Sequence, residues 1–377
     1  MNEPGERQVL RQAQRVVVKI GTRVLTTAAG GLDPKIFGRL AGEVAEARRM
    51  KREIVIVSSG AMAAGRKRLG IGPAKLTMPE KQAVAALGQP DLIAAWERAF
   101  RKHGLLVAQV LLTHEDFAER LRYLNSRNTL VTLLEKGIIP VINENDTVAV
   151  EEIKFGDNDR LSALVAGLLD ADLLVLLSDI MGLCDQDPGL HAEAKVIPVV
   201  RELTREVFEC AGPSRHALAT GGMSSKIAAA RAVSSMGIAT FIGNGRTPGL
   251  LSRIFEGKIQ GTLILPSGKR LRGRQYWIAF ARKPAGQVQV DAGARRALVE
   301  GNKSLLPSGV TQVHGRFAAG DAVAVTDPEG VEFARGLVRF SASDLNRIKG
   351  LKTSAIEAVL GERDYEEVIH KDDLVLT

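Results

Sequence analysis

Cysteine is scarce. Cys184 and Cys210 are the only two in 377 residues. They form no CxxC pair, and a structural zinc site calls for four ligands, usually closely paired, so none is expected. A disulfide-built scaffold is excluded, and two thiols in so long a chain suit a reducing compartment. Histidine is also sparse, at six. His114-Glu115 lacks the second histidine of HExxH, and His103, His191, His216, His314 and His370 are scattered. A GxSxG elbow is absent as well. No apolar run reaches the ~18–20 residues of a membrane span. The longest, Ala171 to Leu177, contains Asp172 and reads as a buried strand. The opening stretch MNEPGERQVLRQAQR is polar and has no apolar h-region, so no secretory signal is expected. The expectation is a cytoplasmic protein with no membrane partner.

What is present is an ordinary globular mix, 45% apolar and 25% charged. At roughly 150 residues per domain, the length suggests about two or three domains. Lys and Arg total 51 against 43 Asp and Glu, a net charge of +8. That excess permits phosphate-bearing partners without proving one.

The first two-thirds of the chain alternates short β-rich runs with helical stretches. Val16 to Ile20, Ile54 to Val57, Leu105 to Leu112, Ile138 to Ile142, Leu173 to Leu177 and Ile238 to Ile242 read as strands. Ile36, Leu40 and Val44 fall at spacings of four, one stripe of a helix. Continuous apolar runs signal strands buried on both faces of a parallel sheet. The expected fold is α/β, a three-layer α/β/α sandwich with a mainly parallel open sheet, over residues 1–265. Residues 266–283 are basic and acid-free, with Tyr276 and Trp277 interleaved, and read as a linker. Over 284–377 alternation takes over (Val288, Val290; Val310, Val313; Val323, Val325), the pattern of a small β-rich module.

Ligands of such sheets sit at the carboxyl ends of the strands. Lys19 closes the first strand and Gly21-Thr22 follows, a tight turn whose N–H groups and neighbouring charge suit a phosphate. Taken alone, Lys19 reads first as a lysine snorkelling off a strand end. Ser58-Ser59-Gly60-Ala61 ends the second strand, and Ser59 serves equally as a helix cap or a ligand contact. Asn143-Glu144-Asn145-Asp146 and Gly156-Asp157-Asn158-Asp159 are two Asx-rich loops close in sequence. They lack the spacing of a Ca²⁺ loop, and Asp159 also suits a cap for a helix starting near Arg160. Ser178-Asp179 closes the fifth run. Thr220-Gly221-Gly222-Met223-Ser224-Ser225-Lys226 leads into an alanine-rich helix, an anion site by composition though not a Walker A loop. Gly243-Asn244-Gly245 reads as a turn before a helix initiated by Pro248.

The polar set is therefore lysine, Asp/Asn and Gly/Ser, with no histidine base. Phosphoryl transfer is mostly positioning and charge neutralisation. A carboxylate acceptor, with a pKa of ~4.3, is already ionised and needs no base. Lys19 and Lys226 would offset its repulsion from a γ-phosphate, with Asp159 holding both ammonium groups.

The segments VVVKIGTRVLT, IVIVSSGAMAAG, PVINENDTVAV, KFGDNDRLSALVA, LLSDIMGLCDQDP and ATGGMSSKIAAA follow the order of the amino acid kinase superfamily. Within it the chain resembles the glutamate 5-kinase (γ-glutamyl kinase) family over nearly its whole length. The C-terminal part resembles a PUA domain, a β-rich pseudo-barrel. The resemblance implies ATP- and Mg²⁺-dependent phosphorylation of the γ-carboxylate of L-glutamate to γ-glutamyl phosphate, the first step of proline synthesis from glutamate. It implies Lys19 and Lys226 as catalytic lysines with Asp159 as their organiser. Ser59, Asp146 and Asn158 match glutamate-binding positions, with Asn145 and Asp157 beside them and Lys154 on the approach loop. Lys19, Gly21, Thr22, Ser178, Asp179 and the loop Thr220, Gly221, Gly222, Met223, Ser224, Ser225, Lys226 match the nucleotide site. Mg²⁺ is implied on the ATP phosphates, with no protein metal ligand.

The resemblance further implies a homodimer or homotetramer, inhibition by proline, and a γ-glutamyl phosphate reductase as the next enzyme. It also suggests RNA as a partner for the PUA module, against the plainer reading of 266–283 as a solvated linker. Arg23 stands where a small polar residue is frequent, and Cys184 where tyrosine is. Acetylglutamate kinase and aspartokinase would share Lys19, Lys226 and Asp159 but not the INEND and GDND pairing.

Overall fold

The computed structural model describes residues 4–72, 75–148, 158–188, 190–191, 193–210, 222–266, 284–301, 303–361 and 365–376. Lys154, Asp157, Thr220 and Gly221 lie outside these, as does the basic stretch beyond Pro266, with Tyr276 and Trp277. The chain divides into two compact units, one built on an eight-stranded sheet and the other on a five-stranded one.

The first unit begins with α1 (Pro4–Gln12), β1 (Arg15–Ile20), α2 (Thr22–Leu25), α3 (Pro34–Arg49) and β2 (Glu53–Ser58). There follow α4 (Ala61–Leu69), α5 (Met78–Arg101), β3 (Val107–Leu112), α6 (Glu115–Ala118), α7 (Arg120–Glu135) and β4 (Ile139–Glu144). After these come α8 (Asn158–Leu168), β5 (Leu173–Ser178), β6 (Val199–Val200) and α9 (Arg205–Cys210). The unit closes with α10 (Met223–Ser234), β7 (Ala239–Asn244), α11 (Leu250–Phe255) and β8 (Thr262–Ile264). The sheet order is β3-β4-β2-β1-β5-β7-β8-β6. Every pairing is parallel except β7 with β8. Strand order therefore reverses between β1 and β5, the switch point at which open α/β sheets bind ligands.

The register brings the strand ends flush, with Ile20 opposite Ser58 and Leu177, and Ser178 opposite Asn244. Helices cover both faces. Val16, Val18, Ile54, Ile56 and Val175 bury against Phe37, Leu40 and Trp96 of α3 and α5. On the other face α8 packs over β1 and β5, and α10 over β7.

All six expected strands are present. The third of them, β3, is an edge strand and mostly half-buried rather than covered on both faces. The short β6 and β8 carried no run long enough to announce them. Pro248 does not open α11, which starts at Leu250 with Gly249 as its N-cap. The reason is Glu43 of α3: its carboxylate accepts from the N–H of Gly249 and of Leu251, both at 3.0 Å, and fixes where the helix begins.

The second unit contains β9 (Gly286–Val290), β10 (Val310–Gly315), β11 (Ala322–Thr326), β12 (Glu332–Leu337) and β13 (Leu374–Leu376), ordered β10-β9-β11-β12-β13. Only β9 and β11 pair in parallel. Val288, Val290, Val323 and Val325 alternate inward and bury with Leu345 and Ile348 of the helix Ala342–Ile348. Among the described residues no helix is long and apolar enough to cross a membrane.

Two close contacts set the spacing of α4 and α5. A Cβ on Gly88 of α5 would lie 1.9 Å from the Ala61 carbonyl, and one on Gly65 of α4 1.9 Å from the Val84 carbonyl. The two helices thus pack backbone on backbone. Gly88→Ala is expected to cost more than about 3 kcal/mol in urea unfolding, beyond ordinary overpacking. Gly38→Ala in α3, with nothing within 4 Å of the new methyl, is expected to be neutral or to stabilise by up to about 1 kcal/mol.

Candidate active site

Alternation decides where Lys19 points. Val16, Val18 and Ile20 of β1 belong to the core under α3 and α5, so Lys19 projects to the opposite face. It is 5% exposed there. Two helix starts converge on it. Asp159 lies in the first turn of α8 and Lys226 in the first turn of α10, and the two helices pack on each other.

Asp159 is fully buried. Its Oδ1 is 2.6 Å from Lys19 Nζ and its Oδ2 3.1 Å from Lys226 Nζ. Ser225 Oγ donates to the same Oδ2 at 2.7 Å and to the Gly222 carbonyl at 2.9 Å. Burial pushes the Asp159 carboxyl upward, but Lys19, Lys226 and the Ser225 hydroxyl outweigh it and hold the group well below the usual carboxylate range. The cluster of two ammonium groups and one carboxylate carries a net +1. An acid in the first turn of a helix is favoured by the helix dipole and a base is not. Lys226 is held in its place by Asp159 and by the Gly222 carbonyl, 3.4 Å from its Nζ.

A chain of amides lies next to this cluster. The N–H of Ser59 donates to the Ile20 carbonyl at 3.1 Å. Asn158 Nδ2 donates to Ser59 Oγ at 2.8 Å and to Asn143 Oδ1 at 3.1 Å. Asn143 Nδ2 donates in turn to Gln89 Oε1 of α5 at 2.9 Å. Asn158 is 4% exposed, and among the described residues its Oδ1 has no partner. Ser59 does not cap α4, because Gly60 takes the N-cap position without a side-chain bond, leaving the Ser59 hydroxyl to Asn158. Asp159 likewise is no cap: α8 starts one residue earlier, and the carboxylate turns to the lysines.

Asn145 folds onto its own turn, its Oδ1 accepting from Thr147 Oγ1 at 2.6 Å and its N–H reaching the Leu112 carbonyl at 2.9 Å. Asp146 is the second residue beyond the end of β4. Burial, with Glu144 nearby, pushes its carboxyl up to about 7.

On the other side of β1 the Gly21 N–H donates to the Leu177 carbonyl at 2.9 Å. It ties β1 to β5 and is not the free donor that the turn suggested. Ser178 is buried, and its Oγ accepts from the Ile180 N–H at 3.4 Å. Arg23, after Thr22, forms an ion pair with Asp179 at 3.0 Å. Gly222 is the N-cap of α10, followed by half-buried Met223 and exposed Ser224. Cys184 is half-buried and bridges to Val196.

Lys19, Asp159, Lys226 and Ser225 thus meet at one point, as do Ser59 and Asn158. Sequence reasoning missed Gln89 altogether and gave Asn143 no separate part. Asn143 was visible as the polar residue ending an apolar strand, whereas Gln89 carries no signal of its own.

The amino acid kinase family profile matches residues 14–244, and a PUA domain profile matches residues 286–360. A protein named glutamate 5-kinase from Citrifermentans bemidjiense is 52% identical over 370 residues, covering 98% of this chain and 99% of that protein. Another of that name from Trichlorobacter lovleyi is 50% identical over 370 residues, covering 98% of each. A third, from Moorella thermoacetica, is 47% identical over 376 residues, the full length of both. The chain belongs to the amino acid kinase family, in its glutamate 5-kinase branch, with a PUA domain at its C-terminal end.

Proposed function

We propose that the protein transfers the γ-phosphoryl group of ATP to the γ-carboxylate of L-glutamate, giving γ-glutamyl phosphate and ADP. The observation that carries this reading is the buried Lys19–Asp159–Lys226 cluster at the switch point of the sheet. A γ-carboxylate oxygen attacks the γ-phosphorus, and the bond from that phosphorus to the β,γ-bridging oxygen breaks. The electron pair leaves with ADP, and no proton moves. The acceptor is ionised at neutral pH, so no base is required. What the reaction requires is positive charge around two approaching anions, and the fixed ammonium groups supply it without reorganising. Lys19 lies beside the glycine turn joining β1 to β5, and Lys226 at the start of α10, where the helix end adds its own positive field.

The donor set fits a Mg²⁺ carried by the nucleotide's phosphates and its waters. Asp159 is not free to ligate, since each of its oxygens already faces an ammonium group, and Mg²⁺ readily takes phosphate and water ligands. Bound there, it supplies further neutralisation of the phosphate charge. On the acceptor side, Ser59, Asp146 and Asn158 hold glutamate, with the Asp146 carboxylate taking the α-ammonium. The same reading makes proline a regulator, a γ-glutamyl phosphate reductase the consumer of the acyl phosphate, and the cytoplasm the site of action.

With ATP, Mg²⁺, glutamate and hydroxylamine, the protein is expected to form γ-glutamyl hydroxamate; productive use of aspartate or acetylglutamate in its place overturns the substrate assignment. Lys226→Ala is expected to lower kcat by about a hundred- to a thousandfold, with a much smaller effect on the glutamate KM. An unchanged kcat with a raised KM contradicts that role. The pH dependence of glutamate binding tests Asp146. Its carboxyl titrates near 7 in the free protein, so below that pH it is protonated and must lose the proton to pair with an ammonium group. Glutamate affinity in calorimetry is therefore expected to fall as pH drops below about 7, by up to about tenfold per pH unit, with proton release on binding. Asp146→Asn is expected to weaken binding and flatten this dependence. The same upward shift favours the protonated fold, so its contribution to stability is present below the ordinary value of 3.8 and lost as pH rises through about 7.

A further inference from the structure

We infer that Gln89 is a positioning residue of the acceptor site: through Asn143 it fixes which end of the Asn158 amide faces the substrate. This rests on the glutamate reading above. A primary amide is two-ended, with a donor NH₂ and an acceptor oxygen. Asn158 spends its NH₂ inside the protein, on Ser59 Oγ at 2.8 Å and Asn143 Oδ1 at 3.1 Å. Asn143 offers its oxygen there only while its own NH₂ is directed elsewhere, and Gln89 Oε1 receives it at 2.9 Å. Asn143 is buried. Reversed, it would set NH₂ against NH₂ and oxygen against oxygen unless both neighbours turned with it. In a buried network such like-to-like contacts are costly, so the three amides share one sense.

The outer member is held in place by the backbone. Gln89 directly follows Gly88, which α5 seats against the Ala61 carbonyl of α4. The backbone from which Gln89 reaches Asn143 is therefore fixed by that contact. At the inner end, the relay leaves Asn158 Oδ1 buried and without a partner among the described residues. That atom only accepts. On L-glutamate at neutral pH both carboxylates also only accept, and the α-ammonium alone donates. Asn158 Oδ1 thus selects the ammonium, and the relay discriminates against dicarboxylates that lack it.

The test compares Gln89→Met, which removes the acceptor, with Gln89→Glu, which keeps one. Each is assayed for glutamate and ATP kinetics and for inhibition by glutarate, the analogue without the amine, with thermal melting alongside. Gln89→Met is expected to raise the glutamate KM about tenfold, the worth of one misdirected buried hydrogen bond. Its kcat, ATP KM and glutarate inhibition constant should stay near wild type. Gln89→Glu is expected to retain the wild-type glutamate KM and the preference over glutarate. Should Gln89→Met fail to fold, Gln89→Lys, which offers only donors, replaces it with the same expectation. An unchanged glutamate KM in the acceptor-less variant overturns the inference. So does an equal loss for glutamate and glutarate, the mark of a merely structural side chain. Wild-type protein that makes no hydroxamate from glutamate defeats the substrate reading itself, whereas active wild type with an unresponsive Gln89→Met defeats only this inference.

Discussion

A single carboxylate between two ammonium groups governs the arrangement of the first unit. Asp159 is wholly buried, and a charge so placed is tolerable only when it is paired and hydrogen-bonded. Lys19 and Lys226 meet that condition, one from a central strand and one from a helix start. Each lysine is in turn unsustainable without Asp159, because both are almost fully enclosed. The three groups therefore hold α8, α10 and β1 in one relation. The relation leaves a surplus of one positive charge facing the strand ends. The fold thereby carries fixed charge to the switch point of the sheet before any ligand arrives.

The rest of the site divides around that cluster. On one side, β1 is tied to β5 through Gly21 and Leu177, and Arg23 reaches Asp179. On the other, Ser59, Asn158, Asn143 and Gln89 form a hydrogen-bonded row. The first side is built from turns and charges, the second from amides and a hydroxyl. This difference suits a nucleotide on one hand and a small zwitterion on the other. It also accounts for the lack of a histidine at the centre, since neither partner gives up a proton.

Much of the fold was legible because its strands are apolar runs with period-two neighbours. The runs behind β1, β2, β4, β5 and β7 lie within a residue or two of the strands they became. Strands β6 and β8 were not legible. They have two and three residues, and pairing alone makes them strands, Val199 and Val200 with Leu263 and Ile264, and β8 also with β7. The site divides in the same way. Lys19, Ser59, Asp159 and Lys226 stand at strand ends or helix starts, where position alone raises suspicion. Their meeting joins residues far apart in the chain, and it entered the sequence reading through the charge that phosphorylating a carboxylate requires and through family resemblance, not local pattern. Gln89 was invisible for the opposite reason. It is one polar residue on a long helix, and its part depends wholly on Asn143, 54 residues away. The cap reading for Ser59 and the helix-start reading for Pro248 gave way to tertiary partners, Asn158 at the Ser59 hydroxyl and Glu43 at the first N–H groups of α11.

The glycine seat between α4 and α5 has a consequence for how this site could be re-tuned. Where two main chains touch, no methyl or larger group is available to trim or enlarge, so the gap between those helices has no adjustable setting. Variation at the site then comes from exchanging side chains. The spacing of α4 and α5 stays pinned like the jaws of a calliper locked at one reading.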